Sequence, residues 1–144
     1  MLTCCDVAQY LLAKADEDAG DLISNLELQK LVYYAQGFAL AVLDGPLFPE
    51  PIEAWTHGPV VPVLYHEYKG FGSGPIPSPK VLDFAKYPLD TRALLDEVYA
   101  TYGQFAAWKL REMTHQEPPW RDTPPGEEIT RAALRAYFTT QVLV

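Results

Sequence analysis

The sequence predicts a mainly α fold: one compact domain over residues 1–144, with about six helices and a short β-hairpin near residues 47–57 as its extended element. Three observations point there. Thr3-Cys4-Cys5-Asp6 and Ser24-Asn25-Leu26-Glu27 both have the form of a capping box, in which side chains satisfy the free N–H groups of a helix start. From Leu28 onward, apolar residues recur at Leu31, Val32, Ala35, Ala39 and Val42, the three-and-four spacing of one buried helical stripe. The chain of 144 residues is 49% apolar, with three Trp, nine Tyr and six Phe, enough material for one packed core.

The elements follow in order. Thr3 opens a first helix carrying Val7, Tyr10, Leu11 and Lys14. Asp16 to Asp21 is acidic and contains Gly20, so it reads as a solvated loop. Ser24 opens the long second helix, which Asp44-Gly45-Pro46 stops. Between Leu47 and Trp55 helical periodicity is lost, and Pro49 and Pro51 leave room only for short extended pieces. A third helix starts between Pro59 and Pro62, where a missing N–H costs nothing, and carries Leu64, Tyr65 and Tyr68 to a stop at Gly70, Gly72 and Gly74. Ser73 to Pro79 is a loop. Asp90 caps a helix with Leu94, Leu95, Val98, Tyr99 and Tyr102, which Gly103 ends. A fifth helix holds Phe105, Trp108, Leu110 and Met113. Glu117 to Gly126 is a proline-rich turn, and the last helix carries Ile129, Ala133, Tyr137 and Phe138.

Charge and cysteine content narrow the partners. Nineteen acidic residues against eleven basic ones give a net charge of −8, and the Lys and Arg are dispersed, whereas phosphate-backbone binding needs them clustered. Direct nucleic-acid binding is therefore not expected. An acidic surface suits a basic protein partner, with Asp16, Glu17, Asp18 and Asp21 as the steering cluster, and it equally serves plain solubility. No apolar run approaches the ~20 residues of a membrane helix, and the N-terminus lacks the pattern of a secretory signal, so no membrane and a cytoplasmic address are expected. Cys4 and Cys5 are adjacent and offer no disulfide framework.

Candidate chemistry is sparse. Tyr33 and Tyr34 lie on adjacent faces of the second helix, so one packs beside Leu31 and the other points elsewhere, as core residues with bonded hydroxyls or as a binding surface. Gln29 suits a hydrogen bond to backbone around His57. Lys30 reads as a solvated or snorkelling side chain. His57 and His115 are the candidates for proton chemistry, against a structural role for each. Metal binding is not expected: His66-Glu67 is not followed by a second His at the zinc-peptidase spacing. Gly70-Phe71-Gly72-Ser73-Gly74 follows a helix instead of leading into one, so it is not a phosphate cradle. No cofactor motif is found.

Three blocks, taken together, resemble a known family. They are Leu28-Gln29-Lys30-Leu31-Val32-Tyr33-Tyr34, then Glu53 to Tyr65 with its Trp55-Thr56-His57-Gly58-Pro59-Val60 centre, then Met113-Thr114-His115-Gln116-Glu117-Pro118-Pro119-Trp120. Their order and content resemble the Panacea domain, the SocA-like family of antitoxins and phage-associated proteins. The resemblance runs from about residue 6 to 138. It implies a helical, non-enzymatic domain that neutralises a toxin encoded beside it, by direct binding or by delivery to a protease. It also implies that Gln29, Lys30, Tyr33, Tyr34, Trp55, His57, Gly58, Pro59, Val60, Tyr65, Thr114, His115 and Trp120 are mainly structural. Many such genes join this domain to a DNA-binding module, for which the chain has neither length nor basic face. Two other functions stay open: a phage-associated host-interaction protein without a toxin partner, and a small hydrolase-like enzyme using His57 or His115 with a carboxylate. Trp55 and Trp120 are expected to be substantially buried, flanking a rigid Gly58-Pro59 turn.

Overall fold

The computed structural model describes residues 1–17 and 22–142. Helix α1 (Cys4–Glu17) starts on a reciprocal capping box: the Thr3 N–H donates to Asp6 Oδ2 at 2.9 Å and the Asp6 N–H to Thr3 Oγ1 at 3.1 Å. Asp16 and Glu17 close this helix, and the rest of the expected acidic loop, residues 18–21, lies outside the described residues. Helix α2 (Asn25–Val42) is capped by Ser24, whose Oγ accepts from the Glu27 N–H at 3.3 Å. Its expected stripe is buried from Leu28 to Ala39, but Val42 is 54% exposed.

The extended element falls in the second half of the 47–57 window and runs past it to Val60. Strand β1 (Ile52–Trp55) begins only after Pro51, and a tight Thr56-His57 turn returns it as β2 (Gly58–Val60). The pair is antiparallel, with Glu53 opposite Val60 and Trp55 opposite Gly58. Gly58 makes this return possible with φ at +116°. The expected rigid turn is thus half of a hairpin.

Helix α3 (Pro62–Tyr68) has Pro62 in its first turn and runs into a 3₁₀ turn over Lys69–Phe71. Helix α4 (Leu89–Tyr102) is preceded by Pro88; Asp90 lies inside the first turn, where its charge favours the helix dipole, and is not the cap. Helix α5 (Ala107–His115) leads through Glu117 into α6 (Pro118–Arg121), one helical turn inside the expected proline-rich loop and the reason for seven helices among the described residues. Ile129 was expected in the last helix. It instead forms β3 (Glu128–Ile129), which pairs with β1 at Ile52, giving the sheet order β2-β1-β3. Helix α7 (Arg131–Gln141) starts from Thr130, whose Oγ1 accepts from the Ala133 N–H at 3.0 Å.

Helix α2 is the axis of the molecule. Helices α1, α3, α4, α5 and α7 and strand β2 all pack on it, α7 most extensively. That surrounds α2 and explains why its polar residues are buried along with its apolar ones. None of the described helices is long and apolar enough to cross a membrane.

Candidate functional site

Each buried polar residue of α2 reaches across to a neighbouring segment, as desolvated polar groups must. The Gln29 Oε1 accepts from the Val61 N–H at 2.9 Å, and its Nε2 donates to Asn25 Oδ1 at 2.9 Å. Asn25 in turn donates to the Tyr65 carbonyl at 3.2 Å. Gln29 therefore holds the backbone just beyond β2, close to where it was expected. Two turns on, Gln36 clamps the segment after α2: its Nε2 donates to the Phe48 carbonyl at 2.9 Å and its Oε1 accepts from the Leu47 N–H at 2.8 Å.

Lys30 departs from the sequence reading. It is fully buried, neither solvated nor snorkelling, because β2 and α5 close over α2 at this point. Its Nζ donates to the Pro59 carbonyl at 3.3 Å. Burial, reinforced by the nearby Arg111 guanidinium, brings its pKa down to about 7. A side chain at Gly58 would meet Lys30 Cε at 2.7 Å and Thr114 Oγ1 at 3.0 Å, so Gly58 is required by space as well as by φ. Thr114 is buried and donates to the Arg111 carbonyl at 2.9 Å.

Tyr33 and Tyr34 both point inward, which the encirclement of α2 permits; neither offers a surface. Their hydroxyls donate to the two carboxylate oxygens of Glu117, at 2.9 Å and 2.7 Å. Tyr34 also stacks on Tyr102 with ring centroids 3.9 Å apart. Burial raises the Glu117 carboxyl to about 7, against the opposing effect of hydrogen bonds from Tyr34, Tyr33 and Tyr137. Sequence reasoning missed Glu117 as a site residue. Standing before two prolines it resembles an ordinary exposed helix start, and only the two tyrosines facing it reveal otherwise.

The β1–β2 turn gathers the remaining motif residues. Trp120 donates its indole N–H to the Trp55 carbonyl at 2.8 Å and stacks on His115 with centroids 3.9 Å apart. The His115 imidazole bonds to the Thr56 backbone, while its Nε2 is buried without a partner. Burial first, then Arg111, Lys30 and His57, hold the His115 pKa below its ordinary value. Trp55 and Trp120 are half-buried, short of a full core position: Trp120 packs on the core rim, whereas the Trp55 ring lies against Tyr65 and its indole N–H donates to Glu53 Oε1 at 2.9 Å. A cleft of about 660 Å³ opens beside them, lined by Gln29, Trp55, His57, Val60, Tyr65 and Lys69 among others. His57 is exposed. Lys30, Tyr33, Tyr34, Gly58, Pro59, Thr114, His115 and Trp120 do not line the cleft. The three blocks thus divide into a buried frame and a smaller accessible set. Among the described residues no carboxylate pairs with either imidazole, and no group of three or more His, Cys, Asp or Glu could hold a metal ion.

Residues 28–121 match the family described as Antitoxin SocA-like, Panacea domain. The chain belongs to that family. The match contains every motif residue that frames the turn. A stretch of 67 residues is 48% identical to "Antitoxin SocA" of Caulobacter vibrioides (strain NA1000 / CB15N), covering 46% of this Panacea-family chain and 35% of that relative. The chain thus aligns with about a third of the relative's length. No solved structure matches.

Proposed function

We propose that this Panacea-family chain is an antitoxin that neutralises a cognate toxin, encoded by a neighbouring gene, through direct protein–protein binding and without catalysis. Family membership is the observation that carries this reading. The geometry supports it. Gln29, Lys30, Tyr33, Tyr34 and Thr114 are committed to internal hydrogen bonds that fix the hairpin and α5 around α2. A frame of this kind presents a rigid surface, and rigidity lowers the entropy cost of binding a partner.

Co-expression is the test. The product of the adjacent gene should arrest growth alone and lose that effect when this chain is made. A harmless neighbour, or one that stays lethal in its presence, rejects the reading. Sequestration and delivery to a protease separate in the same cells: sequestration leaves a stable complex at undiminished toxin levels, whereas delivery depletes the toxin in protease-proficient cells alone. Sequestration is the reading we adopt, and depletion would replace it.

A further inference from the structure

We infer that Glu117 and the tyrosines around it form a proton-operated clasp joining α2, α7 and the α5–α6 junction, in which uptake of one proton by Glu117 reverses the direction of its hydrogen bond with Tyr137. The inference does not depend on the antitoxin reading.

Glu117 is a carboxyl enclosed without a cation. It stands between α5 and α6 and is 8% exposed. Tyr33 and Tyr34 of α2 donate to its two oxygens at 2.9 Å and 2.7 Å, and Tyr137 of α7 supplies a third, weaker hydrogen bond. Tyr102 of α4 stacks on Tyr34 and feels the carboxylate as a neighbouring charge. The charged groups on its own stretch of chain are engaged elsewhere. His115 stacks on Trp120 and bonds to the Thr56 backbone, Glu112 pairs with Lys109, and Arg121 pairs with Asp122. Among the described residues no Lys, Arg or His forms an ion pair with Glu117. Burial therefore favours the neutral carboxyl and the phenols favour the carboxylate. Burial prevails far enough to bring the titration up to about 7.

The two protonation states need different hydrogen bonds. A carboxylate only accepts, so all three phenols aim their protons at it. A protonated carboxyl also donates, so one phenol must receive that proton and turn its own away. Tyr33 and Tyr34 are fully buried, and their hydroxyls donate to nothing but Glu117 among the described residues. Turning either one would leave a buried hydroxyl proton unpaired, which is costly. Tyr137 is half-buried and lines a groove of about 590 Å³ between α6 and α7, with Pro118, Thr123 and Thr140. The groove opens to solvent, so Tyr137 is the phenol that can turn. Above neutrality it donates inward to Glu117. Below neutrality it accepts from Glu117, and its own proton faces the groove. A proton bound in the core is thereby reported on the surface of α7.

The experiment follows the full chain by NMR, isotope-labelled at glutamate Cδ and tyrosine Cζ, from about pH 5.5 to 8.5. The Glu117 Cδ and Tyr137 Cζ signals should titrate together, with one midpoint near 7. Glu117→Gln should abolish the Tyr137 step. Tyr137→Phe removes a donor to the charged form and should move the Glu117 midpoint up by about half a unit. Tyr65→Phe, outside the cluster, should leave it in place. Urea unfolding supplies a second readout. The folded value lies above the ordinary 4.5, so between 4.5 and 7 the folded chain binds more protons than the unfolded one. Wild-type stability relative to Glu117→Gln should therefore fall as pH rises towards 7 and level off above it. A Glu117 signal that stays flat, a Tyr137 signal that does not share its midpoint, or a midpoint unmoved by Tyr137→Phe would overturn the inference. If Glu117→Gln does not fold, the wild-type titration and Tyr137→Phe decide it alone.

Discussion

Gly58 is where backbone and side-chain demands meet. Its φ of +116° is costly for any residue with a Cβ, and the space a Cβ would need is occupied by Lys30 and Thr114. Gly58→Ala should cost at least about 1–3 kcal/mol from strain alone, read by chemical denaturation as a lower midpoint with unchanged slope. The Gly58-Pro59 sequence announced this constraint. Lys30 announced nothing, because a lysine on a helix looks the same in sequence whether solvent or another strand faces it. Its burial has a pH signature. The folded pKa of about 7 lies below the ordinary 10.5, so between these values the unfolded chain binds more protons and stability rises with pH. Above 9 the raised thiols of Cys4 and Cys5, and then the raised phenols, act in the opposite direction, leaving pH 7 to 9 as the window where Lys30 dominates. Lys30→Met should raise stability at pH 7 and flatten the profile from 7 to 9, measured by urea unfolding at stepped pH. A slope that persists in the variant would mean that another group carries it.

At the scale of elements, α2 and α7 meet where Gly37 faces Phe138. A Cβ on Gly37 would overlap the Phe138 ring. Helix propensity alone predicts that Gly37→Ala stabilises α2 by about 1 kcal/mol. Overpacking in a filled core costs about 1–3 kcal/mol and should win, lowering the melting temperature. A higher one would show that α7 can shift without penalty. Helices α1 and α2 and the start of α3 were legible because Thr3, Ser24 and Pro62 are local signals read over one turn. The sheet was not: β3 is two residues long and exists only because Ile129 meets Ile52, a pairing no local pattern encodes. For the same reason the site was half legible. Gln29 and Gly58 were readable from their segments, while Glu117 acquired its role from tyrosines more than eighty positions away in the chain.

For the whole molecule, the net charge of −8 makes association with a charged partner sensitive to salt. If Asp16, Glu17, Asp18 and Asp21 steer a basic toxin, replacing them with Asn or Gln should lower the association rate at low ionic strength and leave dissociation unchanged. An unchanged rate in stopped-flow mixing would place the interface elsewhere on the molecule. The packing of α7 on α2 also bears on what counts as the inherited unit. The recognisable family segment ends at residue 121, yet Phe138 fills the hollow over Gly37 and Ile129 completes the sheet. α1, before the segment, covers another side of α2. A polypeptide cut to 28–121 should express as an aggregating, protease-sensitive species without a cooperative melt, whereas 1–142 melts in one step. Recombination that moved only the recognisable stretch between genes would therefore move a fragment that cannot fold, and any lineage that trades this fold successfully must carry its unremarked flanking helices along.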